Sequence, residues 1–348
     1  MKKIVFTGGG TLGHVMPNIY LMEELKGWEL FYIGSDGIEK QKLKNRVKYY
    51  EIPAVKLDRG KIFPNLKIPF VLISAINKSK KILKQIKPDV IFSKGGYVSL
   101  PVCIAGRMLK IPIVAHESDY SFGLANKIIL KLCNTMCVNF KNLESTNKKI
   151  TYTGPIFSKS FENVEKNLNG LNLHNNKKTI LIVGGSLGSK VINENIYKIS
   201  DALLQEFNII HITGKGNLKV KSYKNYNAME QTDDIVNLYN ISDFVIGRSG
   251  AGVTAECFYK EIPMILIPLE NKSTRGDQLQ NANYYRNLGV AEIIRETDIN
   301  AQNLKEKINN FSNNIEKYKN NYRKTIKING KQKIVELIKE YSNKKPIK

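Results

Sequence analysis

A glycine-rich turn occurs twice in this 348-residue chain, about half a chain apart: Gly9-Gly10-Thr11-Leu12-Gly13 and Gly184-Gly185-Ser186-Leu187-Gly188. Each copy follows a short apolar run, Lys3-Ile4-Val5-Phe6 in the first and Thr179-Ile180-Leu181-Ile182-Val183 in the second, and each precedes an amphipathic stretch. Strand, glycine turn and helix in that order leave backbone N–H groups exposed at a helix N-terminus, where they can face a phosphate. Repetition of that unit predicts two similar domains with a nucleotide site between the halves, and the chain length agrees with two domains.

The rest of the chain follows the same grammar. Short apolar runs at Ile4–Thr7, Leu30–Ile33, Val90–Ser93, Ile113–His116 and Met136–Asn139, then Ile180–Val183, Ile209–Thr213, Phe244–Gly247 and Met264–Ile267, alternate with helical stretches. The runs are continuous in apolar character, as parallel strands covered on both faces require. The expected class is therefore α/β, with two open parallel sheets. The polar stretch Glu162 to Lys178 carries six asparagines and no hydrophobic period, and reads as a linker. The expected divisions are residues 1–160, a linker at 161–178, a second domain at 179–325 and a helical tail at 326–348 that can pack back on the first.

Bulk properties narrow the function classes. Hydrophobic residues at 42% and charged residues at 24% are those of a globular protein with ample core material. Cys103, Cys133, Cys137 and Cys257 form no CxxC pair and read as reduced core residues of a cytoplasmic protein. Met1-Lys2-Lys3 runs directly into the first strand, with no secretory h-region, and no apolar run reaches the ~18–20 residues of a spanning helix. The net charge of +23 fits nucleic acid, anionic lipid or the Lys/Asn habit of an AT-rich genome. Without a helix-turn-helix, zinc spacing or aromatic-rich RNA-binding strand, nucleic acid is the weakest of the three.

The first loop also fits GxGxxG through Gly8, Gly10 and Gly13, with Asp36 about 20 residues on, as in a dinucleotide-binding enzyme. His14 stands against that reading, because a cofactor helix packs a small apolar residue there, and the second loop lacks the spacing. No GxxxxGK[ST] occurs, which argues against a P-loop ATPase. His14 at a helix start would be kept neutral by the helix N-terminus, the form a general base requires. Gly95-Gly96-Tyr97-Val98-Ser99 and His116-Glu117-Ser118-Asp119 follow strands, at the ends where open α/β sheets hold ligands.

The densest cluster is Arg248-Ser249-Gly250-Ala251-Gly252-Val253-Thr254-Ala255-Glu256, directly after a strand. Small residues admit a ligand closely, the new helix offers N–H groups to a diphosphate, and Glu256, about a turn further in, can accept hydrogen bonds from a ribose diol. Arg275-Gly276-Asp277-Gln278-Leu279-Gln280-Asn281-Ala282 adds amides suited to sugar hydroxyls. Together these residues read as a nucleotide-sugar site. No Asp-x-Asp is present to hold a divalent ion on the diphosphate, so no metal or other cofactor is expected.

In this order, these motifs, with Gly123-Leu124-Ala125-Asn126-Lys127, resemble the bacterial MurG family of N-acetylglucosaminyltransferases over nearly the whole chain. The resemblance implies the GT-B fold, two Rossmann-like domains whose parallel sheets face across a cleft. It implies inverting transfer from UDP-N-acetylglucosamine to the 4-hydroxyl of N-acetylmuramic acid in lipid I, giving lipid II and UDP. Carried over by motif, His14 is the general base, and Thr11, Leu12 and Gly13 line the donor. Ser186 and the Ala251 to Thr254 backbone, with Ala255, hold the diphosphate, while Glu256 takes the ribose, Thr232 the uracil edge and Gln278 the transferred sugar. Tyr97, His116, Asp119, Phe157, Arg248 and Asn281 are secondary candidates. The chain departs from the family where Asp119 replaces Asn, Phe157 replaces Arg and Val253 replaces Thr. Another GT-B UDP-sugar transferase, or a UDP-sugar epimerase, is the alternative.

Leu66, Phe70, Ile73 and Ile76 fall on one helical stripe beginning near Pro69, with Lys61, Lys67, Lys78, Lys80, Lys81 and Lys84 around it. A basic rim about an apolar stripe predicts a helix lying on anionic inner-leaflet lipid. The expected location is thus cytoplasmic, peripheral on the inner face of the cell membrane.

Overall fold

The computed structural model describes residues 1–344 apart from 56–65, 169, 186, 271–274 and 327. It divides into two compact units, Met1–Ser158 with Ile328–Lys348, and Lys159–Lys327.

In the first unit seven parallel strands, β1 (Lys3–Thr7), β2 (Glu29–Gly34), β3 (Lys48–Glu51), β4 (Val90–Ser93), β5 (Ile113–Glu117), β6 (Thr135–Val138) and β7 (Ile150–Tyr152), lie in the order β3-β2-β1-β4-β5-β6-β7. They are joined through α1 (Leu12–Met22), α2 (Ile38–Leu43), α3 (Ile68–Ile86), α4 (Ser99–Met108) and α5 (Leu124–Leu132). Alternate strand residues feed opposite layers: Val5, Ile91 and Ile113 pack with Ala75, Leu83 and Val102, whereas Ile4, Phe6, Phe92 and Val114 pack with Val15 and Ile19. Burial on both faces is why these runs are continuously apolar.

The second unit repeats the plan with six parallel strands, β8 (Lys178–Val183), β9 (Phe207–Ile212), β10 (Tyr226–Met229), β11 (Phe244–Gly247), β12 (Met264–Leu266) and β13 (Ala291–Ile293), in the order β10-β9-β8-β11-β12-β13. Its helices are α6 (Lys190–Leu203), α7 (Ile235–Asn240), α8 (Ala251–Tyr259), α9 (Asp277–Asn287), α10 (Ala301–Asn313) and α11 (Ile315–Tyr322). The last helix, α12 (Lys331–Asn343), belongs to the first unit, where Ile334, Val335 and Ile338 enter the layer of Ile4 and Phe6. Lys331 Nζ lies 2.6 Å from Glu24 at its start, and Lys2 Nζ donates to the Ser342 carbonyl at its end.

The strands outside those nine apolar runs are β3, β7, β10 and β13, with sequences KYYE, ITY, YNAM and AEI. Each is a sheet edge. An edge strand pairs on one side and is covered less, so it needs no continuous apolar run. The asparagine-rich stretch expected as a linker runs along the second unit instead. Asn237 accepts from the Asn167 N–H at 2.7 Å and donates back to the Asn167 carbonyl, and Asn227 treats Asn172 in the same way. Asn208 bonds the N–H and carbonyl of His174 likewise. A carboxamide carries both donor and acceptor groups, which is how a stretch without a hydrophobic period is held. The cysteines are all unbridged and buried.

In each sheet the chain order reverses between neighbouring strands, β1 and β4 in the first and β8 and β11 in the second. At such a switch point the two following loops diverge and leave a crevice at the carboxyl ends of the strands. The glycine turns follow β1 and β8, while Gly95-Gly96 and Arg248-Ser249-Gly250 follow β4 and β11. The motifs of each half meet for that reason.

Candidate functional site

In the first unit the turn after β1 ends at Thr11, an extended residue that starts α1. One turn later His14 is half-buried, its backbone N–H bonded to the Thr11 carbonyl and its Nδ1 3.1 Å from Thr11 Oγ1. That hydroxyl can accept from Nδ1–H or donate to Nδ1, and in the tautomer where it accepts, the basic lone pair falls on Nε2. Asn18 on the next turn bonds the His14 carbonyl and Tyr32 Oη, and Tyr32 donates 2.6 Å to the Gly8 carbonyl, so the loop is fixed from below. Gly96 brings its bare Cα against the imidazole, where a Cβ would lie 3.6 Å from Cε1. Tyr97 lies against Gly10.

Two further groups under this loop carry little sequence signal. Lys94, directly after β4, has only 2% of its surface exposed and donates 2.6 Å to Ser118 Oγ, tying the loop after β4 to the loop after β5. Burial pulls its pKa down to about 8 against the opposing pull of Glu117 and Asp119. Nothing in the pattern Ser-Lys-Gly-Gly marks that lysine as buried. Glu39, from the N-terminal turn of α2, is fully buried and bonds the glycine loop itself.

His116 is 1% exposed, and burial followed by the Lys94 charge holds its imidazole neutral, well below the ordinary range. It is sealed beneath the loop, not presented on it. Glu117 accepts from Asp119 N, Gly123 N and Asn126 Nδ2, so its carboxylate shapes the β5–α5 loop, and Asp119 is half-buried on that loop. Phe157 is 3% exposed, with its N–H toward Asn329 Oδ1. Asp36 forms an exposed ion pair with Lys40 at 2.8 Å and takes no part in the glycine loop.

In the second unit the turn after β8 packs tightly: a Cβ on Gly184 would meet Ser189 N at 2.4 Å, and one on Gly188 would meet the Thr213 carbonyl at 2.0 Å. Ser189 caps α6 by accepting from Ile192 N. Ser186 lies outside the described residues. Behind the turn, His211 is enclosed between Tyr226 Oη and Asn193 Oδ1, and burial brings its pKa down to about 4, which makes it a core histidine.

After β11 the chain enters α8 through Gly250, with no side chain capping the first turn. The Ala251, Gly252 and Val253 N–H groups stand at that uncapped end, and a Cβ on Gly250 or Gly252 would meet nothing within 4 Å. Thr254 is buried and turns its hydroxyl back to the Gly250 carbonyl at 3.0 Å, and Ala255 is buried beside it. Glu256 is half-buried, and its Oε2 accepts 2.9 Å from Tyr239 Oη on α7. Burial raises its pKa and the tyrosine bond opposes that rise. Thr232, half-buried in the loop before α7, accepts from Asp234 N.

Arg248 supports this loop from within. Its guanidinium donates to the Ile267 and Pro268 carbonyls and lies 2.6 Å from Glu296, itself bonded to Glu270 N. Ser249 Oγ donates to the Gln278 carbonyl and Asn281 Nδ2 to the Ser249 carbonyl, which joins α8 to α9. Gln278 Oε1 accepts from Leu269 N, an arrangement that orients its amide NH2. Among the described residues no three His, Cys, Asp or Glu side chains are grouped to hold a metal.

On α3, Ala75, Ile82, Leu83 and Ile86 face the core, while Leu66 just before it, Phe70 and Ile73 are 63%, 77% and 58% exposed. Ile76 packs partly against the core and closes the stripe on that side. Lys67, Lys78, Lys81 and Lys84 are exposed and Lys80 is half-buried, whereas Lys61 lies outside the described residues. No described helix is long and apolar enough to cross a membrane.

Comparison with known proteins follows the same division. Residues 4–138 match the glycosyltransferase family 28 N-terminal domain, and residues 179–338 match the family 28 C-terminal domain. A Clostridium botulinum (strain Kyoto / Type A2) protein named UDP-N-acetylglucosamine–N-acetylmuramyl-(pentapeptide) pyrophosphoryl-undecaprenol N-acetylglucosamine transferase is 42% identical over 98% of this chain and 100% of its own. A protein of the same name from Clostridium perfringens (strain SM101 / Type A) is 41% identical over 97% of this chain and 98% of its own. The crystal structure of Acinetobacter baumannii MurG superimposes with a TM-score of 0.77 at 22% identity, covering 98% of this chain and all of that one, a likeness of fold.

Proposed function

From the premise that this chain belongs to glycosyltransferase family 28 and, within it, to the MurG transferases, we propose how its residues divide the transfer of N-acetylglucosamine to lipid I. The observation that carries the activity is 42% identity over 98% of the chain with a transferase of that name. Transfer of carbon-14 from UDP-[14C]N-acetylglucosamine to a synthetic lipid I analogue, with release of UDP, is the expected result. Hydrolysis or epimerisation of the donor without transfer would overturn it.

In the reaction the 4-hydroxyl oxygen of N-acetylmuramic acid attacks the anomeric carbon of the donor sugar, and the bond from that carbon to the diphosphate oxygen breaks. The hydroxyl proton passes to His14 Nε2, the basic nitrogen of the tautomer whose Nδ1–H donates to Thr11 Oγ1. Thr11, Leu12 and Gly13 place that histidine against the transferred sugar. The uncapped first turn of α8, at Ala251, Gly252 and Val253, supplies N–H groups and dipole to the departing diphosphate, together with the turn at Ser186. The Thr254 hydroxyl is committed to its own helix, so Thr254 and Ala255 contribute shape there. Glu256, aimed by Tyr239, accepts from the ribose diol. Thr232 adjoins the uracil edge, and Gln278 donates its amide to sugar hydroxyls.

Glu256→Ala removes a carboxylate that accepts in ground and transition states alike, so donor KM rises about 10–100-fold, the loss of one or two charge-assisted hydrogen bonds, with kcat little changed. Initial rates against donor concentration test this, and an unaltered donor KM refutes the ribose role.

The acceptor is lipid-borne, and the exposed Leu66, Phe70 and Ile73 with their lysine rim support docking on an anionic inner leaflet. Reversing Lys78, Lys80 and Lys81 to Glu weakens co-sedimentation with phosphatidylglycerol vesicles at least about a hundredfold, at roughly 1 kcal/mol per lysine at the surface. Unchanged co-sedimentation would discard the docking face.

A further inference from the structure

The two glycine turns differ in what fills them. The atoms nearest a Cβ on Gly184 are backbone of its own loop, and one on Gly185 would meet nothing within 4 Å. At Gly9, the equivalent of Gly184, a Cβ would lie 2.4 Å from Glu39 Oε1. The Glu39 carboxylate is 0% exposed, with Oε2 accepting from Gly10 N at 3.2 Å and Oε1 accepting from Ser35 N at 3.0 Å and from Ser35 Oγ at 2.5 Å. Gly37 is needed on the other side, since a Cβ there would come within 2.8 Å of Oε2.

We propose that Glu39 is a positioning residue whose carboxylate occupies the anion place of the first glycine turn, so that this turn presents His14 and binds no phosphate. A backbone N–H pointing into a glycine turn is what a phosphate oxygen would take. Here the Gly10 N–H is bonded to a carboxylate of the same chain, and a phosphate beside that buried negative charge would be repelled. The bond bears on catalysis because Gly10 precedes Thr11, whose carbonyl and hydroxyl fix the His14 N–H and Nδ1. A carboxylate is required. Donors arrive on both oxygens, and a carboxamide would set an NH2 against either Gly10 N–H or Ser35. Glu39→Gln therefore keeps the shape of the side chain while breaking one side of the clamp.

This inference rests on His14 as the base, and two measurements on the full-length chain separate it from that reading. With UDP-N-acetylglucosamine and a lipid I analogue, Glu39→Gln lowers kcat about 10–100-fold, the scale for a displaced catalytic group, with donor KM within about twofold of wild type. Calorimetric titration with inorganic pyrophosphate, in the presence of saturating UDP, shows one site more in Glu39→Ala than in wild type. Equal kcat in Glu39→Gln, or equal pyrophosphate binding in wild type and Glu39→Ala, overturns the proposal. A fall in kcat matched by lost donor affinity or by collapse of the thermal transition also overturns it, because that pattern marks general unfolding. Ser35→Ala, which loosens the carboxylate without touching the loop, gives a smaller kcat loss of the same kind, and no loss there counts against the clamp. Absence of transfer by the wild-type chain would speak to the reading of function, and the pyrophosphate titration would still decide this inference.

Discussion

Replacing His14 with Ala lowers turnover by about 10²–10⁴-fold, the range for losing a general base, while affinity for UDP stays within about twofold. The asymmetry follows from where the residue acts. As the proposed base it takes its proton only as the acceptor hydroxyl attacks, so its removal would affect the transition state and spare a nucleotide bound at the proposed site in the second unit. Thr11→Val is the companion variant: it keeps volume and removes the hydroxyl at 3.1 Å from Nδ1, so the imidazole loses that orienting hydrogen bond and kcat falls less than in His14→Ala. Steady-state kinetics with separate UDP titration check both. Turnover within tenfold of wild type in His14→Ala would remove the histidine from the base role. His116 is no simple substitute, because it is 1% exposed beneath the loop.

Gly188→Ala destabilises the second unit by about 2–5 kcal/mol, the sum expected for a left-handed non-glycine residue and an overpacked contact. Gly188 has φ +75°, and a Cβ there would stand 2.0 Å from the Thr213 carbonyl oxygen and 3.0 Å from the Gly214 Cα. Both obstacles are backbone, so no side chain can swing away. Gly185→Ala is the control. It shares the left-handed conformation, at φ +90°, but meets no atom within 4 Å, and carries only the conformational part, about 1–2 kcal/mol. Calorimetric melting then shows Tm falling by about 5–15 °C for Gly188→Ala and by clearly less for Gly185→Ala. Equal shifts would mean that the close approach to Thr213 contributes nothing.

These two positions also show what a sequence can carry. The turn at 184–188 is legible because a left-handed glycine, a buried strand before it and a helix after it are all written in contiguous residues. His14 is legible for the same reason, as a histidine three residues into a helix. Tyr239, Lys94 and Glu39 are not. Tyr239 looks like one apolar position of a short helix until its hydroxyl is seen 2.9 Å from Glu256. Arg248 reads as a ligand-facing cation, but its guanidinium is engaged by two carbonyls and Glu296. In each case the partner lies on an element distant in sequence, and pattern alone holds no record of that pairing.

The sequence by itself determined the α/β class, the doubling of the domain and the nucleotide-sugar motifs, because burial on both sheet faces and the needs of a tight turn act on neighbouring residues. Tertiary structure decided what each turn contains. Pairing of β2 beside β1 brings the start of α2 to the first glycine turn, and only then does Glu39 reach the Gly10 N–H while Gly185 stays open. The same local motif meets different long-range neighbours, and electrostatics between groups far apart in the chain gives the two copies their separate chemistry.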